Sequence, residues 1–354
     1  MTDSNRFQWI FVGTYGPEST EAIEVLLFDA SEGTLTRQSG ISGIANPSFL
    51  AVASLGHLLY AVSETEQGAV AAYRIDATTG SLTVCDRQMT AGGSPCYVSL
   101  DPHRSYLSVT NYTGANITWL ALSSDGKFAR PGQITTHTGH SVHPRQASPH
   151  PHSVVPDPYS NFRLVCDLGL DKVIVYRFDD TAKEWVWHHE VETNAGSGPR
   201  HLAFHPHLAI VYVAQELDST VAVYHFDRLE GRLQWVQTVS TLPQTYTGES
   251  TAADLHVSSD GRYLYASNRG HDSLVTFGID DTGGLVVLAH TNAGGRTPRN
   301  FLLTPDGRHI LVANQDSDSI VVMCLDHTGI PSPTGYTYTV AQPVCLQALP
   351  TERQ

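Results

Sequence analysis

Five of the chain's eighteen histidines lie in one sixteen-residue stretch, HTGHSVHPRQASPHPH: His137, His140, His143, His150 and His152. Histidines at this density could bind a metal or move protons, because a neutral imidazole carries a usable lone pair near neutral pH. A metal would need ligands on a rigid frame at a workable spacing, such as HExxH or a histidine–carboxylate cluster. No carboxylate or cysteine stands between 137 and 152, so a metal is not expected there. His150 and His152 are two apart, which on extended chain turns them the same way. A second set of chemically able residues, Arg200, Glu216, Arg269, Arg299 and Gln315, is spread along the second half of the chain. Whether these act together depends on the elements that carry them.

Those elements repeat. SPCYVSLDPHRSYLSVTNYTGANITWLAL, GPRHLAFHPHLAIVYVAQELDSTVAVYHFD, AADLHVSSDGRYLYASNRGHDSLVTFGID and TPRNFLLTPDGRHILVANQDSDSIVVMCLD share one plan. Each has a strand, a turn of the DPHR or PDGR type, a second apolar strand, a polar loop and a third strand. No segment keeps a helical period, which predicts an all-β chain. Two columns run through the copies. One follows the second strand: Tyr15, Thr65, Tyr112, Leu168, Glu216, Arg269 and Gln315, about 50 residues apart on average. The other opens the first strand, one residue after a proline in most copies: Ser48, Cys96, His152, Arg200, Ala253, Arg299 and Val344.

Seven copies of this period predict a seven-bladed β-propeller, read as a single domain over 1–354. The first copy begins with its second strand, WIFVGTY, and the chain ends on an orphan first strand, PVCLQAL. The C-terminus is therefore expected to supply the missing inner strand of blade 1 and close the ring. In an antiparallel meander the start of the first strand and the end of the second lie at the same end of the blade, so both columns should converge on one mouth of the channel.

Composition narrows the possible partners. A formal charge of −14 disfavours nucleic acid and acidic lipid, both of which call for a basic surface. The start of the chain lacks a signal-peptide pattern, and no apolar run approaches the roughly 18 residues needed to span a bilayer. The five cysteines are scattered and form no CxxC pair, which fits a reducing cytoplasm. Three arginines at one mouth of an acidic protein would repel each other unless something negative sits among them. Glu216 supplies one charge and an anionic small-molecule substrate would supply the rest. No cofactor is expected, and the chain reads as a monomer or homodimer.

PHPHSVV, GPRHLAFHP, QELDSTVAVY, LHVSSDGRYLYASNRGHDS and TPRNFLLTPDGRHILVANQDSDS resemble the repeated motifs of the lactonase family of seven-bladed propellers. That family includes the propeller type of 6-phosphogluconolactonase and the fungal carboxymuconate cycloisomerase. The resemblance runs from VGTY to PVCLQAL and implies active-site roles for His152, Arg200, Glu216 and Arg269. One departure is HSVHP, with His140 and His143, where family members commonly carry an SSVNP-like run; this loop is expected to cover the mouth.

Two chemistries suit the set. In lactone hydrolysis Glu216 or His152 would activate water while Arg200 and Arg269 bind the oxyanion and the substrate's anionic group. In an intramolecular lyase the substrate's own carboxylate adds across a double bond, and the enzyme must deliver a proton. Arg299, Gln315, His150 and Arg145 are candidate substrate contacts in either case. A propeller that only binds a protein is the third reading. GGSPC and NAGSGPR do not match a GxSxG nucleophile elbow, no helix follows the glycine-rich segments, and the SDG and PDG turns lack a D-x-D-x-D-G ligand run. Asn111, Asn116, Asn268 and Asn314 read as turn or inter-blade hydrogen-bonding residues.

Overall fold

A computed structural model describes residues 6–53, 57–101, 105–129 and 132–350. Three residues of the DPHR turn, 102–104, and the first five residues lie outside this set. The described chain forms seven four-stranded antiparallel sheets. Six are local meanders, such as blade 5 (Pro199–Phe204, Ile210–Gln215, Thr220–Asp227, Arg232–Ser240). The seventh is blade 1, where Pro343–Ala348 pairs antiparallel with Phe7–Thr14, so the two chain ends close the ring as expected. This is a seven-bladed β-propeller.

The second strand of each blade is buried on both faces, because neighbouring blades pack against each side. LLYAVS (Leu58–Ser63), FRLVCD (Phe162–Asp167) and IVYVAQ (Ile210–Gln215) are buried throughout. Their near-continuous apolar runs fit a strand buried on both faces rather than one with a wet face. Most of the apolar clusters lie between adjacent blades: Leu164, Val175, Val213 and Phe226 join blades 4 and 5, and Tyr212, Val223, Leu264 and Phe277 join blades 5 and 6. The asparagines lock the same joints. Asn268 Nδ2 donates to the Thr241 carbonyl and Asn314 Nδ2 to the Ala293 carbonyl, each across a blade boundary.

The structure corrects two details of the repeat. Each unit has a fourth strand that the sequence pattern hides, because outer strands such as Glu184–Glu192 and Arg232–Ser240 face water and mix polar residues with exposed Trp187 and Trp235. In blade 2 the residue that follows the second strand is Glu64, not Thr65. The hairpin there runs from Ser63 to Ala69, one residue longer than the Asn111–Asn116 and Gln215–Thr220 turns, and this displaces a column drawn by spacing alone.

Candidate functional site

The two columns meet as the topology requires. Pro151 pairs with Asp167, Pro199 with Gln215, Thr251 with Arg269, and Pro298 with Asn314. The first-strand column also has a local backbone cause. In blade 3 the register slips between Pro95 and Tyr97, in blade 4 between Pro151 and Ser153, in blade 5 between Pro199 and His201, and in blade 7 between Pro298 and Asn300. Cys96, His152, Arg200 and Arg299 are therefore bulged residues, unpaired in the ladder, and bulges of this kind re-aim a side chain. The preceding proline donates no ladder hydrogen bond and suits the position.

Glu216 is the centre of the charged half. It is buried, and its Oε1 lies 2.7 Å from Arg145 Nη1, while its Oε2 lies 2.9 Å from Arg200 Nε and 3.1 Å from Arg269 Nη2. Burial alone would raise its pKa, but the charges of Arg269, Arg200 and Arg145 outweigh burial and hold the carboxyl far below its usual range. Arg200 moves down as well, to about 10, because it is buried and faces Arg269 and Arg299, while it shares its one carboxylate with two other arginines. Backbone carbonyls steady the clamp: Arg200 Nη1 donates to Ala253 O at 2.7 Å and Arg269 Nη2 to Ala252 O at 3.1 Å.

His152 is buried beside this cluster, and its Nδ1 has no hydrogen-bond partner among the described residues. Its backbone is pinned by Thr110 Oγ1, which donates to the His152 carbonyl at 3.2 Å. Burial first, then the charge of Arg200, the nearby His201, Arg299 and Arg269, depress its pKa well below the ordinary histidine value. His152 is thus a neutral imidazole. Arg299 makes no ion pair among the described residues; its guanidinium lies over the Tyr15 ring, 5.4 Å from the centroid. Gln315 places a buried Oε1 without a partner at the same end of blade 7.

The histidine-rich loop resolves into separate roles. Arg145 rides on a short 3-10 turn, Pro144–Gln146, whose N-cap is His143; the His143 ring accepts from Arg145 N. Gln146 is buried and donates to Leu168 O and Asp171 Oδ1, both at 2.7 Å, which anchors the turn on blade 4. Close packing at Gly169 lets the chain lie flat, since a Cβ there would sit 2.0 Å from the Ser148 carbonyl. His137 bridges Asp167 at 2.6 Å and the Tyr176 hydroxyl at 2.8 Å, so it joins blades 3 and 4. His140 is exposed. His150 stacks on Tyr112 at 4.2 Å and His152 meets the same ring edge-on at 5.6 Å. His150 thus supports Tyr112, whose hydroxyl faces Arg145 Nη2 at 3.4 Å, and its contacts are to Tyr112, Ser148 and Asp167 rather than to Glu216. No group of three or more His, Cys, Asp or Glu side chains that could hold a metal occurs among the described residues.

Sequence reasoning missed a ring of residues one position further along: Phe49, Tyr97, Ser153, His201, Asp254, Asn300 and Cys345. Asp254 is its hub. It takes His201 Nδ1 at 2.9 Å, His256 Nε2 at 2.9 Å, Leu255 N at 3.0 Å and Asn300 Nδ2 at 2.5 Å. Asn300 Oδ1 accepts from Leu346 N, so one carboxylate links blades 5, 6, 7 and 1. Burial and then the Arg200 charge outweigh Asp254 and lower His201 to about 4, which leaves it neutral beneath the arginine layer. The signal was available in the repeat: blades 5, 6 and 7 carry polar side chains where blades 2 and 3 carry Phe49 and Tyr97.

Comparison with known proteins agrees with this architecture. The family model described as Lactonase, 7-bladed beta-propeller matches residues 9–348. A 6-phosphogluconolactonase of Bacillus subtilis (strain 168) is 33% identical over 275 residues, covering 77% of this chain and 78% of that protein. A 6-phosphogluconolactonase of Formosa agariphila is 31% identical over 289 residues, covering 79% of this chain and 81% of the relative. Among solved structures, a periplasmic gluconolactonase of Pseudomonas aeruginosa superposes with a TM-score of 0.91 at 35% identity, covering 97% of this chain and 99% of the other. The chain belongs to the lactonase family of seven-bladed β-propellers.

Proposed function

We propose that the protein hydrolyses an anionic sugar lactone of the 6-phosphogluconolactone type, with His152 as general base. The observation that carries this reading is the division of labour between the two titratable groups: Glu216 is committed to three arginines, whereas His152 is neutral and its Nδ1 is without a partner. Both groups are depressed, so the distinction is one of geometry: both Glu216 oxygens are taken by arginines, whereas His152 Nδ1 is free to accept a proton, and an anionic substrate that offsets the neighbouring arginine charges restores basicity to the imidazole.

In the proposed reaction a water attacks the lactone carbonyl carbon and His152 takes its proton. Arg200 and Arg269 stabilise the oxyanion of the tetrahedral intermediate. The ring C–O bond then breaks, and the departing ring oxygen takes the proton back from His152, giving the open hydroxy acid. Arg299, a cation without an ion-pair partner among the described residues, holds the substrate's phosphate or carboxylate, and Arg145 closes over it from the loop. Glu216 positions the arginines and does not exchange protons.

A lyase would need a different proton step: adding a carboxylate across a double bond requires an acid that protonates carbon, whereas the unpartnered His152 Nδ1 suits a group that first accepts a proton. Purified protein with 6-phosphogluconolactone and EDTA in a pH-stat is expected to consume base well above the spontaneous rate. A rate equal to the blank, or loss of carboxymuconate absorbance instead, would replace this reading.

A further inference from the structure

Glu64 lies at the same end of the channel, as the residue that follows the second strand of blade 2, and its charge acts on Arg299. Its carboxylate accepts one hydrogen bond, from the Tyr15 hydroxyl at 3.0 Å, and makes no ion pair among the described residues. Arg299 sits over the same Tyr15 ring, so an anion-binding group and an acceptor group share one tyrosine. Four arginines against two carboxylates leave the site net positive, yet the positive side lies on blades 4 to 7, and the first two blades present Tyr15 and Glu64.

We infer that Glu64, steadied by Tyr15, recognises hydroxyl groups of the substrate and so selects polyhydroxylated anions over polycarboxylates; this rests on the lactonase reading above. A carboxylate with an unused oxygen accepts hydrogen bonds from neighbouring hydroxyls, and these are among the stronger neutral-to-charged contacts. The same charge repels a second or third carboxylate. A substrate is thereby oriented with its phosphate or carboxylate towards Arg299, its carbonyl towards Arg200 and Arg269, and its hydroxyl-bearing carbons towards blades 1 and 2.

Binding measured without turnover tests this. Isothermal titration of the wild type, Glu64→Gln and Tyr15→Phe would use 6-phosphogluconate as the hydroxylated probe and tricarballylate as the polycarboxylate. Glu64→Gln is expected to weaken 6-phosphogluconate by about 10-fold or more and to tighten tricarballylate. Tyr15→Phe, which keeps the charge but removes its support, should weaken 6-phosphogluconate several-fold and leave tricarballylate within about two-fold. Equal effects on both probes, or none, would overturn the assignment. A wild type that shows this selectivity but hydrolyses no lactone would overturn the lactonase reading and leave the role of Glu64 standing.

Discussion

The mouth and the layer beneath it use the same kinds of residue to opposite ends. At the mouth, His152 Nδ1, Arg269 Nε and Gln315 Oε1 are buried without partners, and one carboxylate is divided among three arginines. One layer down, Asp254 receives five donors, His201, Leu255, His256, Asn300 and Phe301, and with Asn300 ties four blades together. Buried polar groups are ordinarily satisfied, so under the proposed function the unpartnered atoms at the mouth are those a ligand would meet, whereas the Asp254 carboxylate is filled by the protein itself and holds the ring in place. The comparison separates function from architecture more sharply than residue type does: both layers contain histidine and a carboxylate.

The contrast can be broken by substitution. His152→Ala should lower kcat/KM for lactone hydrolysis by roughly 10²- to 10⁴-fold, the usual contribution of a general base. Its thermal midpoint should stay near that of the wild type, because no hydrogen-bond partner is orphaned. If stability and activity fell together, His152 would belong with the structural layer.

Glu216→Gln and Asp254→Ala sharpen it further. Each removes a buried carboxylate from its partners and should cost about 3–5 kcal/mol in denaturant unfolding, the scale for leaving a buried charge or donor set uncompensated. They should differ in rescue: phosphate can enter among Arg145, Arg200 and Arg269 and restore part of the Glu216→Gln loss, while the Asp254→Ala loss should not respond. Equal rescue would erase the distinction.

The last test is the pH dependence of stability, where opposed titrations partly cancel. His152 and His201 have folded pKa values below the unfolded value of roughly 6.5, so the unfolded chain binds more protons than the folded one below that pH. Stability is therefore full above roughly pH 6.5 and falls as pH drops towards about 4, where His201 titrates. His256, raised by its ion pair with Asp254, works in the opposite sense and offsets part of this loss. Urea unfolding at intervals from pH 7 to pH 4.5 should show the decline. Over the upper part of that range kcat/KM should stay flat, since His152 is already deprotonated; an acid limb near pH 6.5 would contradict its assignment.

Much of this was legible in the sequence because a repeat carries its own alignment. A strand pattern recurring about every 50 residues, with a first copy that lacks its first strand and an orphan first strand at the end, determined the number of blades, the closure of the ring and the convergence of two columns on one mouth. His152, Arg200, Glu216 and Arg269 could be placed together because antiparallel pairing fixes which strand ends meet. Glu64 escaped because a hairpin one residue longer shifts the column, and the outer strands escaped because a wet edge need not show apolar alternation.

The tertiary structure decided what sequence spacing does not encode: which charges touch. Three arginines converge on Glu216 while Arg299 remains over Tyr15, and that partition depends on side-chain reach across blades distant in the chain. It also set the direction in which each pKa moves, since that follows from burial and neighbouring charge and not from residue type alone. His152 and Glu216 were interchangeable as residues in a column; folded, one has an unpartnered ring nitrogen and the other is clamped by three arginines.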